Sequence, residues 1–172
     1  GELMPSSLAP NRFEIETMNA VLGGTFSSRL NMNLREDKHW SYGVSTALPG
    51  ARGQRPWLLF APVQTDKTVE SLRELQRELA QFVDDRPATA DEVAKIRNRD
   101  VRALSGRFET NASVAGAIAD IVVYQRPDDY VRTLKARIES QTDAGVRDAA
   151  RSALLPAALT WVIVGDLRKI EQ

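Results

Sequence analysis

Residues 19–46 read NAVLGGTFSSRLNMNLREDKHWSYGVST, and the order of signals in that stretch decides the fold. Just upstream and into it, Ile15, Met18, Val21 and Leu22 recur at helical spacing, so residues 13–22 predict an amphipathic helix. Gly23-Gly24 stops that helix. Phe26, Leu30 and Leu34 then recur every four residues and predict a second helix ending near Glu36. After a short loop the pattern turns to strand, with YGVSTAL (42–48) and WLLFAPVQ (57–64). Between them PGARGQRP carries two glycines and two prolines, as a long hairpin loop would. Gly43, Ser45 and Ala47 give the first strand one small face, which predicts a close neighbour there. The second strand is apolar on both faces and predicts cover on both sides. Pro62 lacks a ladder donor and predicts a bulge or a partly free edge.

Outward from that stretch the chain is mostly helical. Val69, Leu72, Leu75, Leu79, Phe82 and Val83 mark one strongly amphipathic helix. Thr89-Ala-Asp-Glu92 has the spacing of a capping box and opens a helix running to about Arg107. Val114, Ile118, Ile121 and Val122 stripe the next helix, Pro127 breaks the chain, and Tyr130 to Ile138 forms another. Thr142-Asp143 caps a last helix, stopped by Pro156, and LTWVIVGD (159–166) predicts a buried strand. GELMPSSLAP reads as an irregular lead-in. The fold class is α+β: a small, mostly antiparallel sheet covered by several helices, in one domain over residues 1–172. Three strands are few for so many helices, so a first strand missing from the N-terminal end is expected, and with it a chain that is a fragment of a longer one.

Composition excludes several function classes. Apolar residues make up 42% and charged residues 27%, as in ordinary globular proteins. Lys and Arg number 23, as do Asp and Glu, so no bulk charge favours nucleic acid or an anionic membrane. No apolar run reaches the ~20 residues of a membrane span. With no cysteine there is neither a disulfide framework nor a thiolate metal site. His39 is the single histidine, so neither H-E-x-x-H nor its inverse H-x-x-E-H can be written, and no metal site is expected in this chain. Gly23-Gly24 lacks the Lys-Ser/Thr of a phosphate loop, and GVSTA is no nucleophile elbow. Asp84-Asp85, Asp128-Asp129 and the Glu/Arg-rich face at 70–78 read as solvated surface. Arg35 and Tyr42 remain. A cation in the last turn of a helix is favoured by the dipole, and a Tyr at a strand start is commonly half buried, so the residues alone leave a structural role open beside a functional one.

The run N19-x-x-L22-G23-G24-x-F26-S27-S28-R29-L30, then L34-R35-E36 and Y42-G43-V44, resembles the C-terminal-half signature of the pitrilysin/insulinase family. These are the inverted-motif zinc metallopeptidases, including insulin-degrading enzyme and mitochondrial processing peptidase. VQTDKT (63–68), PATADEVAK (87–95), RFET (107–110) and the closing L155-P-x-x-L-x-x-V-I-V-G-D166 extend the resemblance in order along almost the whole chain. It implies a domain from the half that lacks the zinc ligands, closing with an H-x-x-E-H half around a peptide substrate. By that likeness Tyr42 is a catalytic residue stabilising the oxyanion, and Arg35 and Tyr42 bind substrate. Zinc is expected in the N-terminal half, in the same polypeptide or a separate subunit, and none here. The parent would be a bacterial zinc-dependent metalloendopeptidase, with this chain inactive alone. Relatives favour the periplasm over the cytoplasm. The alternative is a non-catalytic binding or assembly subunit of the same fold. HWS (39–41) departs from the family, standing where a Gly-containing loop is more usual.

Overall fold

The structure, a computed structural model, describes residues 1–170. Its sheet has three antiparallel strands in the order β1-β3-β2: β1 Glu2–Met4, β2 Ser45–Ala47 and β3 Arg55–Phe60. The helices are α1 Arg12–Asn19, α2 Arg29–Asn31, α3 Thr68–Val83, α4 Ala90–Ala103, α5 Asn111–Val123, α6 Tyr130–Glu139, α7 Asp143–Ala153 and α8 Leu167–Ile170. Both N-terminal helices widen before they end: α1 runs on into a π turn over Ala20–Gly24, and α2 into one over Met32–Asp37. The helix predicted over 13–22 is thus not stopped by Gly23-Gly24 but runs through both as a π turn, and the second ends at Asp37, next to the predicted Glu36.

One face of the sheet is packed. Met4 of β1 and Trp57 of β3 are completely buried under α1, whose Ile15 and Met18 are buried with them. Trp57 also donates its indole N–H to Asn19 Oδ1 at 2.9 Å, so the largest core side chain leaves no orphan donor. On the far side of α1 lies α7, and its Ala149, Ala150 and Ala153 are small enough for the two helices to meet closely. Leu75, Leu79 and Phe82 of α3 complete this core. A smaller cluster of Tyr130, Leu134 and Ile138 gathers Phe13, Val101, Leu104 and Ile121 around α6.

Several expectations need correcting. The lead-in is not wholly irregular, because Glu2–Met4 pairs with β3. The β3 strand is not covered on both sides: Arg55 and Trp57 point into the helices, whereas Leu58 and Phe60 are exposed. Apolar residues on both faces do not say which face the helices cover. The small face of β2 is not the close-packed one either. Val44 and Thr46 are buried, and the close approach is made from the helix side by Gly23, where an added Cβ would run into the Thr46 side chain, with Oγ1 only 2.7 Å away. Gly23→Ala should therefore cost about 1–3 kcal/mol, read as a lower urea midpoint with unchanged slope. Thr46 is β-branched and buried, so it cannot simply swing aside.

The α5 stripe is real, but only Ile121 reaches a core cluster; Val114, Ile118 and Val122 are exposed. Periodicity places residues on one face and does not say where that face points. The Arg107 end of the α4 prediction becomes a 3-10 turn over Ser105–Phe108. LTWVIVGD is not a buried strand. Thr160 exchanges two hydrogen bonds with Gly1, at 2.8 and 3.0 Å, and that pairing is one residue long. Val162 and Val164 beyond it are exposed. Just past α3, Asp84 and Asp85 are solvated as expected, but Glu78 on it is buried and accepts from Asn33 Nδ2 and Arg77.

The capping box at α4 is present in full. Thr89 Oγ1 accepts the Glu92 amide, and the Glu92 carboxylate accepts the Thr89 amide at 2.8 Å. The same carboxylate holds the Arg29 guanidinium in two bonds of 2.6 and 2.7 Å, tying α2 to α4. Burial pushes the Glu92 carboxyl up, but Arg29 and Thr89 outweigh it and hold it below its ordinary value near 4.5. A carboxylate depressed on folding stabilises above its unfolded pKa, and the contribution is lost as pH falls through the lower folded value. Glu92→Gln should thus cost about 1 kcal/mol at neutral pH, with the partial exposure of the pair limiting the loss. The gap to wild type should close as the pH falls through that window, which urea melts of both proteins across the acid range would check.

Candidate functional site

Arg35 and Tyr42 reach the surface from two elements that the loop 38–41 locks together. Arg35 sits in the π turn that ends α2. The chain leaves that turn through His39, whose φ of 56° lies in the left-handed region that glycine adopts freely. Holding a non-glycine residue in that conformation costs of order 1 kcal/mol. The loop is then pinned. Trp40 donates its amide to Leu34 O and accepts from the Gln64 amide, each at 2.9 Å. Gln64 Nε2 donates to His39 O at 3.0 Å. Ser41 pairs with Val63 in a single antiparallel bridge, and its hydroxyl donates to Pro62 O at 2.7 Å. The predicted 57–64 strand is thus interrupted at Ala61-Pro62 and resumes for one residue, in keeping with the missing donor of Pro62.

Tyr42 lies between that bridge and β2, not at the first ladder position, and its side chain is 100% exposed. A half-buried strand tyrosine would be packed; this one stands clear of the core. Arg35 and Tyr42 line one open groove of ≈ 650 Å³ together with Trp40 and Gln64. The Arg35 guanidinium lies over the ring of Phe26, 4.4 Å from its centroid, and its Nε is 3.4 Å from Glu36 Oε1. Its spacing to Leu30 and Leu34 predicts Phe26 within the second helix. It instead precedes α2, is largely exposed, and supplies the flat support that fixes the arginine. Its place in the LGGxFxSRL run was the available signal, and helical spacing to Leu30 masked it. Lys38 Nζ lies 5.6 Å from the Trp40 ring centroid, so the tryptophan both packs and forms a groove wall.

The chemistry such a groove can perform is donation. The Tyr42 phenol and the Arg35 guanidinium present donors, and the Glu36 carboxylate and His39 imidazole on the same wall lie against Arg35 itself. His39 Nδ1 is 3.1 Å from Arg35 O and is committed to the helix end. Among the described residues no three His, Cys, Asp or Glu side chains gather as a metal site, so these residues do not fit zinc.

The profile of the Peptidase M16 inactive domain matches residues 2–99, more than half of the chain. The chain belongs to that family. Curated proteins give no sequence match. Among solved structures, the peptidase M16 inactive domain from Pseudomonas fluorescens is similar at 21% identity and a TM-score of 0.81, covering 90% of this chain and 37% of that one. The periplasmic protease PqqL from Escherichia coli is similar at 18% identity and a TM-score of 0.73, covering 89% of this chain and 17% of that one. A candidate zinc protease from Bordetella pertussis Tohama I has 18% identity and a TM-score of 0.69, covering 89% of this chain and 84% of that one. At such identities these likenesses establish the fold. The M16 inactive domain described here therefore spans about a third of the length of the first of them. Among the described residues no helix is long and apolar enough to cross a membrane.

Proposed function

We propose that this M16 inactive domain, over residues 1–172, forms one half of a peptide-cleaving chamber whose other half carries the H-x-x-E-H zinc site. Zinc and the chemistry it supplies belong to that other half, in the same polypeptide or in a partner subunit. This half contributes fixed donors. Tyr42 directs its hydroxyl at the carbonyl oxygen that becomes an oxyanion, and Arg35 holds main-chain carbonyl oxygens of the bound peptide. The observation that carries this reading is that a wholly exposed tyrosine and an arginine braced on an aromatic ring line one groove. A tyrosine kept for packing would not stand in water, and a helix-end cation kept for the dipole would need no such support. The exposed sheet face, with Leu58 and Phe60, suits a surface that meets another domain. A periplasmic location is part of the same reading, supported by the likeness to PqqL.

The test uses the assembled peptidase with a quenched peptide. Arg35→Gln should raise KM about tenfold with kcat nearly kept, because it removes binding made equally in ground and transition states. This chain alone should cleave nothing. An unchanged KM would take Arg35 out of substrate binding. Absence of cleavage by a zinc-loaded assembly would favour a non-catalytic assembly subunit of the same fold.

A further inference from the structure

A second concave site, away from the Arg35–Tyr42 groove, lies at the opposite end of β3, between the sheet, α1 and α6. It is a cavity of ≈ 600 Å³ lined by four arginines. Arg107 faces Asp120 at 3.9 Å, and the other three guanidinium groups come from three different elements. Arg55 comes from β3, Arg12 from the start of α1, and Arg126 from the turn after α5. One carboxylate faces them: Glu16 Oε1 is 3.6 Å from a guanidinium nitrogen of both Arg12 and Arg55. The other two acids on the wall are engaged elsewhere, Asp100 by Arg99 at 2.7 Å and Asp120 by Arg107 at 3.9 Å.

Hydrogen-bond accounting makes the excess specific. Arg55 is 2% exposed, donates Nε to Pro5 O at 3.0 Å, and leaves its buried Nη2 without a hydrogen-bond partner among the described residues. Ser7 Oγ already accepts from the Ala51 amide at 3.0 Å and from Arg55 Nη1 at 3.4 Å, so its own proton is left to donate. The Tyr130 hydroxyl accepts from Arg12, and its proton is likewise left over. Buried donors without acceptors are costly, and natural structures seldom keep several in one place without something to satisfy them. Burial, with the neighbouring Arg12 adding to it, pulls the Arg55 and Arg126 guanidinium groups below their ordinary pKa against the opposing charge of Glu16.

We propose that this cavity is an anion site for a phosphate-class dianion, free or as the phosphoryl group of a larger molecule, held by Arg12, Arg55 and Arg126. Donors converge from the strand, a helix start and a turn, and so surround a tetrahedral ion rather than grip one edge of a planar carboxylate. Bound there, the ion ties β3 to α1 and to the α5–α6 turn, far from the donors of the peptide groove.

The probe is inorganic phosphate, titrated calorimetrically into the protein in chloride buffer at constant ionic strength. Saturable binding is expected, weakened about tenfold or more by Arg126→Gln. Glu16→Gln should tighten it, because it removes the competing carboxylate, and a merely misfolded variant cannot give that sign. Arg35→Gln should leave it unchanged. O-phosphoserine binding as well as phosphate identifies a site that admits a phosphoryl group on a larger molecule; binding of phosphate alone identifies a closed one. No saturable phosphate binding, equal binding by Arg126→Gln, or tighter binding of succinate than of phosphate would each overturn the assignment.

Discussion

Tyr42→Phe in the assembled peptidase should lower kcat by about 10² to 10³ while KM stays nearly constant. The argument begins with what the substitution does not do. The side chain is wholly exposed, so losing one hydroxyl oxygen removes no packing and no internal bond. Stability should move by less than about 0.5 kcal/mol, and a thermal melt of the variant checks that directly. The proposed loss is then chemical. A carbonyl oxygen gains charge only as the tetrahedral intermediate forms, so a donor placed for that charge acts on the transition state and hardly on the bound peptide. The loop that carries Tyr42 is held by Trp40, Ser41 and Gln64, which is what preorganisation requires. Full activity in the variant would place the oxyanion donor elsewhere.

Trp57→Ala carries the largest expected cost in stability, about 3–5 kcal/mol. Trp57 is completely buried at the centre of the packed sheet face, so truncation opens a large hole between β3 and α1. It also strips Asn19 Oδ1 of its indole donor at the point where α1 passes into its π turn. For a chain of this size that should lower Tm by roughly 10 °C or more. Trp57→Phe keeps much of the apolar area and loses the bond, so it should fall between the two. If Trp57→Phe were as damaging as Trp57→Ala, the hydrogen bond rather than the filled volume would dominate.

Legibility in the sequence followed the range of the interactions involved. The capping box at Thr89 and Glu92 involves neighbours three residues apart, and it was read correctly, as was the Thr142 cap of α7. Helix α3 also stands where its apolar spacing placed it. The family signature placed Arg35 and Tyr42, and the structure brings them to one groove. What was not legible depends on partners far away in the chain. Nothing local distinguishes Trp57, which meets α1, from Leu58, which meets water. Nor can local pattern tell that LTWVIVGD finds only Gly1 beside Thr160, or that the α5 stripe turns outward. Phe26 has helical spacing to Leu30, yet its partner is the cation at Arg35. The arginine cavity was invisible for the same reason: Arg12, Arg55 and Arg126 are scattered along the chain and are assembled only by the tertiary fold.

The π turn over Met32–Asp37 sets the phase of the helix that carries Arg35. A single π turn is equivalent to one extra residue threaded into an α-helix. Deleting one residue there would let the backbone relax to α pitch, and everything after the deletion would rotate by about 100° around the axis. Arg35 would then leave the Phe26 ring, and the following loop would be offered to Gln64 and Val63 out of register. The groove is therefore sensitive to chain length in these six residues as well as to their identity. A one-residue deletion here would act like a frameshift in three dimensions, silent in composition and complete in its effect on where the donors point.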